Sequence, residues 1–285
     1  MTRLPLVAKR AEQLLGSSVV ATAPVAGGDI STATRMRLSN GTTALMKTNH
    51  HAPEGFFEAE ERGLRWLAEA GGVAVPEVLA SDHECLILRW VEPGKTTVDA
   101  AVSFGQALAT THAAGAPAYG LEHDGYIGRL PMPNKTAPTW AEFYATRRVL
   151  PYLKLARDRG MATEEDATAI EAVIGKLPEL LPEEPPSRLH GDLWNGNVIW
   201  SLDGIARVID PAAYGGHREA DLAMLSLFGL PHLPRVLDAY AEVSPLADGW
   251  EDRLPLHQLF PLLVHACMFG GGYASRAAGI ATRFL

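Results

Sequence analysis

Cysteine is nearly missing from this chain: its 285 residues contain two, Cys85 and Cys267, each inside an apolar run. Two isolated thiols make neither a disulfide framework nor a zinc-ligand spacing, and their surroundings assign both to the interior as free thiols. Long hydrophobic runs are also lacking. The stretch from Met1 to Gly16 mixes charges through its apolar positions, and the most apolar late stretch, Leu259 to Phe269, is short and carries His265. Neither a signal peptide nor a membrane span is expected, so the chain is expected in the cytoplasm. Basic charge is in deficit, with 25 Lys and Arg against 33 Asp and Glu for a net charge of -8. That balance argues against a nucleic-acid partner, because binding to a phosphate backbone rests on clustered Lys and Arg. It leaves ATP open, since magnesium and one lysine meet that charge locally. No internal repeat occurs. A chain of this length, 47% hydrophobic and 20% charged, buries roughly three quarters of its unfolded surface as one large or two medium domains.

What is present concentrates between Leu189 and Asp210. Asp192 is followed five residues later by Asn197, and thirteen residues after that by Asp210. Phosphoryl transfer needs one carboxylate to accept the proton of the attacking hydroxyl, and an amide with a second carboxylate to hold Mg²⁺ on the ATP phosphates. The three residue types stand here in that order. Between them, two β-rich runs, Val198 to Ser201 and Ile205 to Ile209, flank Leu202-Asp203-Gly204, a hairpin signal. With Asp203 and Gly204 as the two central turn residues, Leu202 faces Ile205 and, counting outward, Asn197 faces Asp210. Facing side chains have Cβ atoms about 5 Å apart, close enough to share a metal ion. A longer loop shifts this register by about a residue. Upstream, Arg188 to Gly191 reads as a short strand and tight turn that presents Asp192, placed to orient the acceptor hydroxyl.

The first ninety residues read as a nucleotide lid. Val25 to Ser31 leads through Gly27 and Gly28 into alternating residues Thr32 to Leu38, the Asn40-Gly41 turn, and Thr42 to Lys47. Glycines in such a loop let backbone N-H groups approach phosphates, although the G-x-G-x-x-G pattern is absent. Lys47 stands where a lysine would reach the α and β phosphates. In the next helix Phe56, Glu60, Leu64 and Leu67 share one stripe, which puts Glu60 among apolar neighbours. A lone buried carboxylate costs several kcal/mol, so Glu60 needs a cation, and Lys47 is the candidate. Glu58 and Glu61 fall off the stripe and are expected to stay solvated. The run Cys85 to Leu88 reads as a buried edge strand leading into a linker, where backbone groups near Arg89 and Val91 can meet adenine.

Thr97 opens a helix through about residues 112–114 with Val98, Ala101, Val102 and Leu108 as its apolar stripe and His112 as a structural residue. Further helices fit residues 140–159 and 163–177, and after the hairpin 219–228, 234–243 and 255 onward. Strands first and helices later, with a catalytic hairpin in the helical part, imply an α+β chain of two lobes with ATP between them. The expected division is an N-lobe of residues 1–89, an antiparallel sheet plus one helix, and a mainly helical C-lobe of residues 90–285.

Leu189-His190-Gly191-Asp192-Leu193-Trp194-Asn195-Gly196-Asn197, Asp210-Pro211-Ala212, Gly216-His217-Arg218-Glu219-Ala220-Asp221 and Phe269-Gly270-Gly271-Gly272-Tyr273 together resemble the fructosamine kinase family. The likeness runs along the chain, through Gly27-Gly28-Asp29-Ile30, Phe57 to Glu60, Tyr126-Ile127-Gly128 and Trp140 with Phe143. It implies a protein-kinase-like fold and ATP-dependent phosphorylation of a sugar hydroxyl on a ketosamine, protein-bound or free, with deglycation following as the product decomposes. Matched by position, Asp192 becomes the base, Asn197 and Asp210 the Mg²⁺ ligands, Lys47 the phosphate lysine and Trp194 a wall of the sugar pocket. Some family members carry a Cys in the glycine loop that permits redox control. Asp29 stands there in this chain, and that control is not carried over. The acid-amide-acid core alone also fits an aminoglycoside or choline kinase acting on another metabolite hydroxyl, or a nucleotide-binding pseudokinase. Intact Lys47, Asp192, Asn197 and Asp210 count against the last.

Overall fold

The structure, a computed structural model, describes residues 6–26 and 30–285. The glycine loop expected at Gly27 and Gly28 lies outside the described residues. Helix α1 (Leu6–Leu15) buries Ala8 and Ala11 against an antiparallel sheet. In it β1 (Val19–Val25) pairs with β2 (Thr32–Leu38), and β2 pairs with β3 (Thr43–Thr48) around the Asn40-Gly41 turn. Helix α2 (Phe56–Glu69) follows, burying Phe56, Phe57, Glu60, Gly63, Leu64 and Leu67. The apolar stripe is therefore the buried face, with Glu60 inside it. Glu58 and Glu61 are half-buried rather than solvated, and Glu61 accepts hydrogen bonds from Arg65 and Ser81.

Strands β4 (Val78–Asp82) and β5 (Cys85–Arg89) complete five strands in the order β1-β2-β3-β5-β4. Strand β5 is thus interior and not the edge strand expected. The reason is legible in its composition: Cys85 to Leu88 are all buried, and a strand apolar at every position is one covered on both faces. Its register with β3 sets Lys47 opposite Leu86.

The second lobe opens with α3 (Val98–Ala113), whose N-terminus is capped by the Thr97 side chain accepting from the Ala100 N-H. Val98 is exposed and lies off the buried face, whereas Ala101 and Leu108 are buried. A small hairpin, β6 (Gly125–Ile127) with β7 (Leu130–Met132), precedes the region where one helix over 140–159 is expected. That helix is interrupted. It divides into α4 (Trp140–Phe143), a π-helical turn (Tyr144–Val149) and α5 (Leu150–Asp158). Pro151 has no N-H to donate and its ring clashes with the carbonyl four residues back, which forces the ladder open. The wide turn carries Arg148 wholly inside the protein. Its guanidinium lies 3.9 Å from the Tyr214 ring centroid and donates to the Pro133 carbonyl at 2.5 Å and to Asn134 Oδ1 at 2.6 Å.

Helices α6 (Glu164–Ile174), with a Thr163 and Asp166 capping box, and α7 (Leu177–Leu180) lead to β8 (Ser187–Leu189). A 3₁₀ turn (Asn195–Asn197) then enters β9 (Val198–Trp200), followed by β10 (Ala206–Val208) and β11 (Tyr214–Gly216). The chain ends in α8 (Glu219–Phe228), α9 (Leu233–Val243), α10 (Trp250–His257), α11 (Leu259–Phe269) and α12 (Tyr273–Thr282). One core gathers side chains of α4 to α6, α11 and α12, and another joins α3, α8 and α9 to the β9-β10 hairpin. The hairpin is thereby braced by helices, and its backbone is also tied to Ala74, whose carbonyl accepts from the Val208 N-H at 2.9 Å. Among the described residues no helix is long and apolar enough to cross a membrane.

Candidate active site

The β9-β10 hairpin forms, but its register differs from the one expected. Trp200 pairs with Ala206, Ile199 with Arg207 and Val198 with Val208, so the loop has three residues, Leu202 to Gly204, instead of two. Gly204 has φ of 80° and its N-H reaches the Ser201 carbonyl at 2.9 Å. This is the three-residue arrangement in which a left-handed glycine closes the turn. One step outward, Asn197 therefore faces Ile209, whose N-H donates to the Asn197 carbonyl at 3.0 Å. Asp210 lies just past the ladder, with a positive φ of 55°, and is not the cross-strand partner of Asn197. The two side chains reach the site by separate routes.

Asn197 turns towards Asp192. Its Nδ2 donates to the Asp192 carbonyl at 2.8 Å and to Asp192 Oδ2 at 3.0 Å. With both amide hydrogens committed, Oδ1 remains as an acceptor. Asp210 turns instead to the sheet lobe, where its Oδ1 accepts from Lys47 Nζ at 2.8 Å. Lys47 Nζ also lies 2.6 Å from each Glu60 oxygen, so the Lys47 and Glu60 ion pair forms as the buried carboxylate required. Burial works against the Lys47 charge, but the Asp210 and Glu60 carboxylates outweigh it and hold the ammonium pKa above its usual value. For Asp192, burial dominates. It pushes the carboxyl up to about 7, the Asn197 amide opposing and the nearby Asp210 and Asp221 charges assisting.

The Asp192 backbone is held by a network centred on Asp221, which includes the structural residue His112. Gly191 has φ of 80°, and a Cβ there would collide with the Ala212 carbonyl oxygen. Asp221 Oδ2 accepts from the His190 N-H at 2.8 Å and Oδ1 from the Gly191 N-H at 2.9 Å. His112 Nε2 lies 3.1 Å from Asp221 Oδ2 while its Nδ1 lies 2.8 Å from the Tyr240 hydroxyl. Burial would raise the Asp221 carboxyl, but the His112 contact and the loop N-H groups overcome it and hold the pKa low. His190 closes the ring: its Nδ1 accepts from the Asp192 N-H at 3.2 Å, leaving Nε2 to donate to the Ile209 carbonyl at 2.9 Å. The signal for Asp221 was present in the sequence, an acid at the start of the uniformly apolar run Leu222 to Leu225, and the Glu60 argument applies to it unchanged.

These groups line a cleft of about 810 Å³ between the two lobes, which Lys47, Glu60, Asp192, Asn197 and Asp210 enter. Arg89 and Val91 line the same cleft. The Arg89 side chain is exposed and donates to Glu77 at 2.6 Å. Trp194 is 40% exposed beside Asp192 and contacts Phe228 edge-on at 6.1 Å between ring centroids. A separate buried cluster, His217, Glu219 and His257, has metal-ligand spacing. There, however, Arg253 Nη2 sits 2.7 Å from Glu219 Oε1 and Nε about 3.1 Å from Oε2. That guanidinium already satisfies the carboxylate a cation would need.

The sequence profile described as fructosamine kinase matches residues 5–285. The chain belongs to the fructosamine kinase family. This family member is 35% identical over 269 residues to a probable ketoamine kinase of Enterococcus faecium, covering 92% of this chain and 94% of that one. A solved structure from Thermobifida fusca, provisionally assigned as a fructosamine-3-kinase, is 50% identical with a TM-score of 0.92 over 98% of both chains. The fold extends further. An aminoglycoside phosphotransferase solved with AMP-PNP and hygromycin B superposes with a TM-score of 0.64 at 16% identity, over 98% of this chain and 97% of that one. The fructosamine kinase family member described here has the bilobal protein-kinase-like fold of that group and is an ATP-dependent phosphotransferase.

Proposed function

We propose that this kinase transfers the γ-phosphoryl group of ATP to a sugar hydroxyl of a ketosamine, an amine glycated by a reducing sugar. The phosphorylated product then decomposes spontaneously, so that the reaction deglycates the amine in the cytoplasm. The observation that carries this reading is the pairing of Asp192 with Asn197 and of Lys47 with Asp210 by side-chain hydrogen bonds, all four lining one cleft, in a chain of this family.

Asp192 accepts the proton of the acceptor hydroxyl while that oxygen bonds to the γ-phosphorus and the bond to the bridging β-γ oxygen breaks, releasing ADP. A carboxyl pushed up to about 7 is suited to take a proton near neutral pH. Asn197 orients Asp192 through Nδ2. Asn197 Oδ1 and the Asp210 carboxylate fit a small hard cation, because both are oxygen donors open to the cleft and magnesium takes few protein ligands. When bound, Mg²⁺ supplies charge neutralisation of the phosphates. Lys47, held by Glu60, reaches the α and β phosphates. The N-lobe of residues 1–89 forms the nucleotide half, with the backbone at Arg89 and Val91 against adenine. The C-lobe of residues 90–285 holds the acceptor, with the Trp194 face against sugar C-H groups.

The test is ADP release with Mg-ATP and a panel of fructosyl-lysine and ribulosyl-lysine derivatives. Turnover above the no-acceptor background is expected. Background turnover with the panel, together with robust turnover on an aminoglycoside or choline, moves the assignment to those alcohols.

A further inference from the structure

The cleft also carries a histidine outside the phosphoryl-transfer groups. His265, on α11, lines the cleft together with Trp194, Met268 and Phe269. Its ring belongs to a continuous aromatic series: Trp194 to Phe228 at 6.1 Å, Phe228 to His265 at 4.8 Å, then His265 to Phe269 at 5.5 Å and to Tyr273 at 5.3 Å. The series begins beside Asp192 and reaches Phe269, which lines the cleft and is 54% exposed.

His265 Nδ1 lies 2.8 Å from the Pro261 carbonyl oxygen. A carbonyl oxygen only accepts, so Nδ1 carries the proton and the neutral ring presents a bare lone pair at Nε2. Burial disfavours the imidazolium form, the Pro261 contact opposing in part. Among the described residues Nε2 has no hydrogen-bond partner. A half-buried lone pair of fixed direction, set among aromatic faces, is complementary to a molecule with a polar hydrogen beside apolar C-H surface. A sugar has that character; a purely apolar ligand does not.

We propose that His265 Nε2 is the hydrogen-bond acceptor of the sugar subsite, taking a hydroxyl hydrogen of the ketosamine while Trp194 covers the adjoining C-H face. The proposal rests on the ketosamine reading. His265 takes no part in the proton transfer to Asp192; it fixes which way the sugar faces when its hydroxyl meets the γ-phosphate. Two substitutions separate this from a packing role. His265→Phe keeps an aromatic ring against Phe228 and Tyr273 but removes the acceptor, and His265→Gln keeps a side-chain acceptor oxygen.

The experiment measures KM for a ribulosyl-lysine derivative and for Mg-ATP, with kcat, in wild type and both variants. A lost hydrogen bond that leaves a substrate hydroxyl unpaired predicts a rise of about tenfold in ketosamine KM for His265→Phe. The ATP KM should stay within about twofold, and His265→Gln should recover most of the loss. An unchanged ketosamine KM in His265→Phe, equal increases in both KM values, or a His265→Gln no better than His265→Phe overturns the assignment. Absence of ketosamine turnover in the wild type removes the ketosamine reading, and this proposal with it. Wild-type turnover with an unresponsive variant removes this proposal alone.

Discussion

Replacing Asp221 by Asn tests whether the backbone of the Asp192 loop is held by charge. Asp221 is almost fully buried, and its two oxygens together accept from the His190 N-H, the Gly191 N-H and the His112 ring. Asparagine matches the shape but has one acceptor atom and one donor atom. In either amide orientation its NH₂ group points at a backbone N-H, leaving a buried donor without a partner and setting two donors against each other. Each unpaired buried donor costs about 1–3 kcal/mol. Losing one backbone bond and weakening the contact with His112 gives about 3 kcal/mol, which is about 6–12 °C in melting temperature for a protein of this size. The functional effect should be larger than the stability effect. Gly191 immediately precedes Asp192, and displacing a catalytic group by about 1 Å costs about a hundredfold in rate. The assay is kcat with Mg-ATP and a ketosamine at a temperature where circular dichroism reports the variant folded, beside thermal melts. A kcat within about twofold of wild type and a melting temperature within about 1 °C would refute the reasoning. A lowered melting temperature with unchanged kcat would show that Asp221 supports the fold without positioning Asp192.

Asp192→Asn should lower turnover by about a hundredfold or more while ATP binding persists, measured by steady-state kinetics and nucleotide titration; undiminished turnover means that the base is another group. Asp210→Ala should weaken magnesium-dependent ATP binding by about tenfold or more, read by titration calorimetry with and without chelator, and equal affinity contradicts the cation assignment. Acid should destabilise the fold in two windows. Burial lowers the His217 pKa from 6.5 to about 3, so its contribution is complete above pH 6.5 and is lost as pH falls towards 3. Glu219 is held at about 2 against 4.5, burial opposing and the His257 and Arg253 contacts prevailing, so its contribution is complete above pH 4.5 and is lost as pH falls towards 2. Urea midpoints at stepped pH should decline through both windows, and Glu219→Gln should flatten the decline below pH 4.5; an unaltered slope there excludes Glu219 as its source.

Local chemistry made the Glu60 and Lys47 pair legible, because a carboxylate on an apolar helix stripe needs a cation and the preceding strand offers one. The hairpin was legible as an element but not in register. Whether Asp203-Gly204 closes a two-residue or a three-residue loop depends on which position takes the left-handed conformation, and both loops suit the same dipeptide. That single residue separates Asn197 facing Asp210 from Asn197 facing Ile209. The two-residue register therefore gives the proposed Mg²⁺ ligands a cross-strand geometry that the hairpin does not have. Strand β5 was misplaced at the sheet edge although its unbroken apolar run already indicated two covered faces. The π-helical turn that carries Arg148 lay beyond apolar periodicity, since side-chain spacing does not record an inserted residue; only Pro151 signalled a break.

The division of labour among the carboxylates follows from what each already has. Glu60 has the Lys47 ammonium on both oxygens, and Asp221 has two backbone N-H groups and a histidine. Both oxygens of each are engaged by protein groups, so both act by fixing those groups. Asp210 engages Lys47 through one oxygen only and its side chain is 42% exposed. Asp192 has a single neutral amide on its side chain. These two, the least compensated, both line the cleft, and they differ in what surrounds them. Asp210 gives one oxygen to the Lys47 ammonium and keeps the other free among the described residues, which suits a metal ligand. Asp192 is half-buried, and its enclosure pushes the carboxyl pKa up, which suits a group that must gain a proton during the reaction. Had the roles been reversed, the acid paired with Lys47 would have to accept a proton against the pull of a neighbouring ammonium. The Lys47 contact therefore argues for Asp192 as the base independently of the spacing that first singled it out.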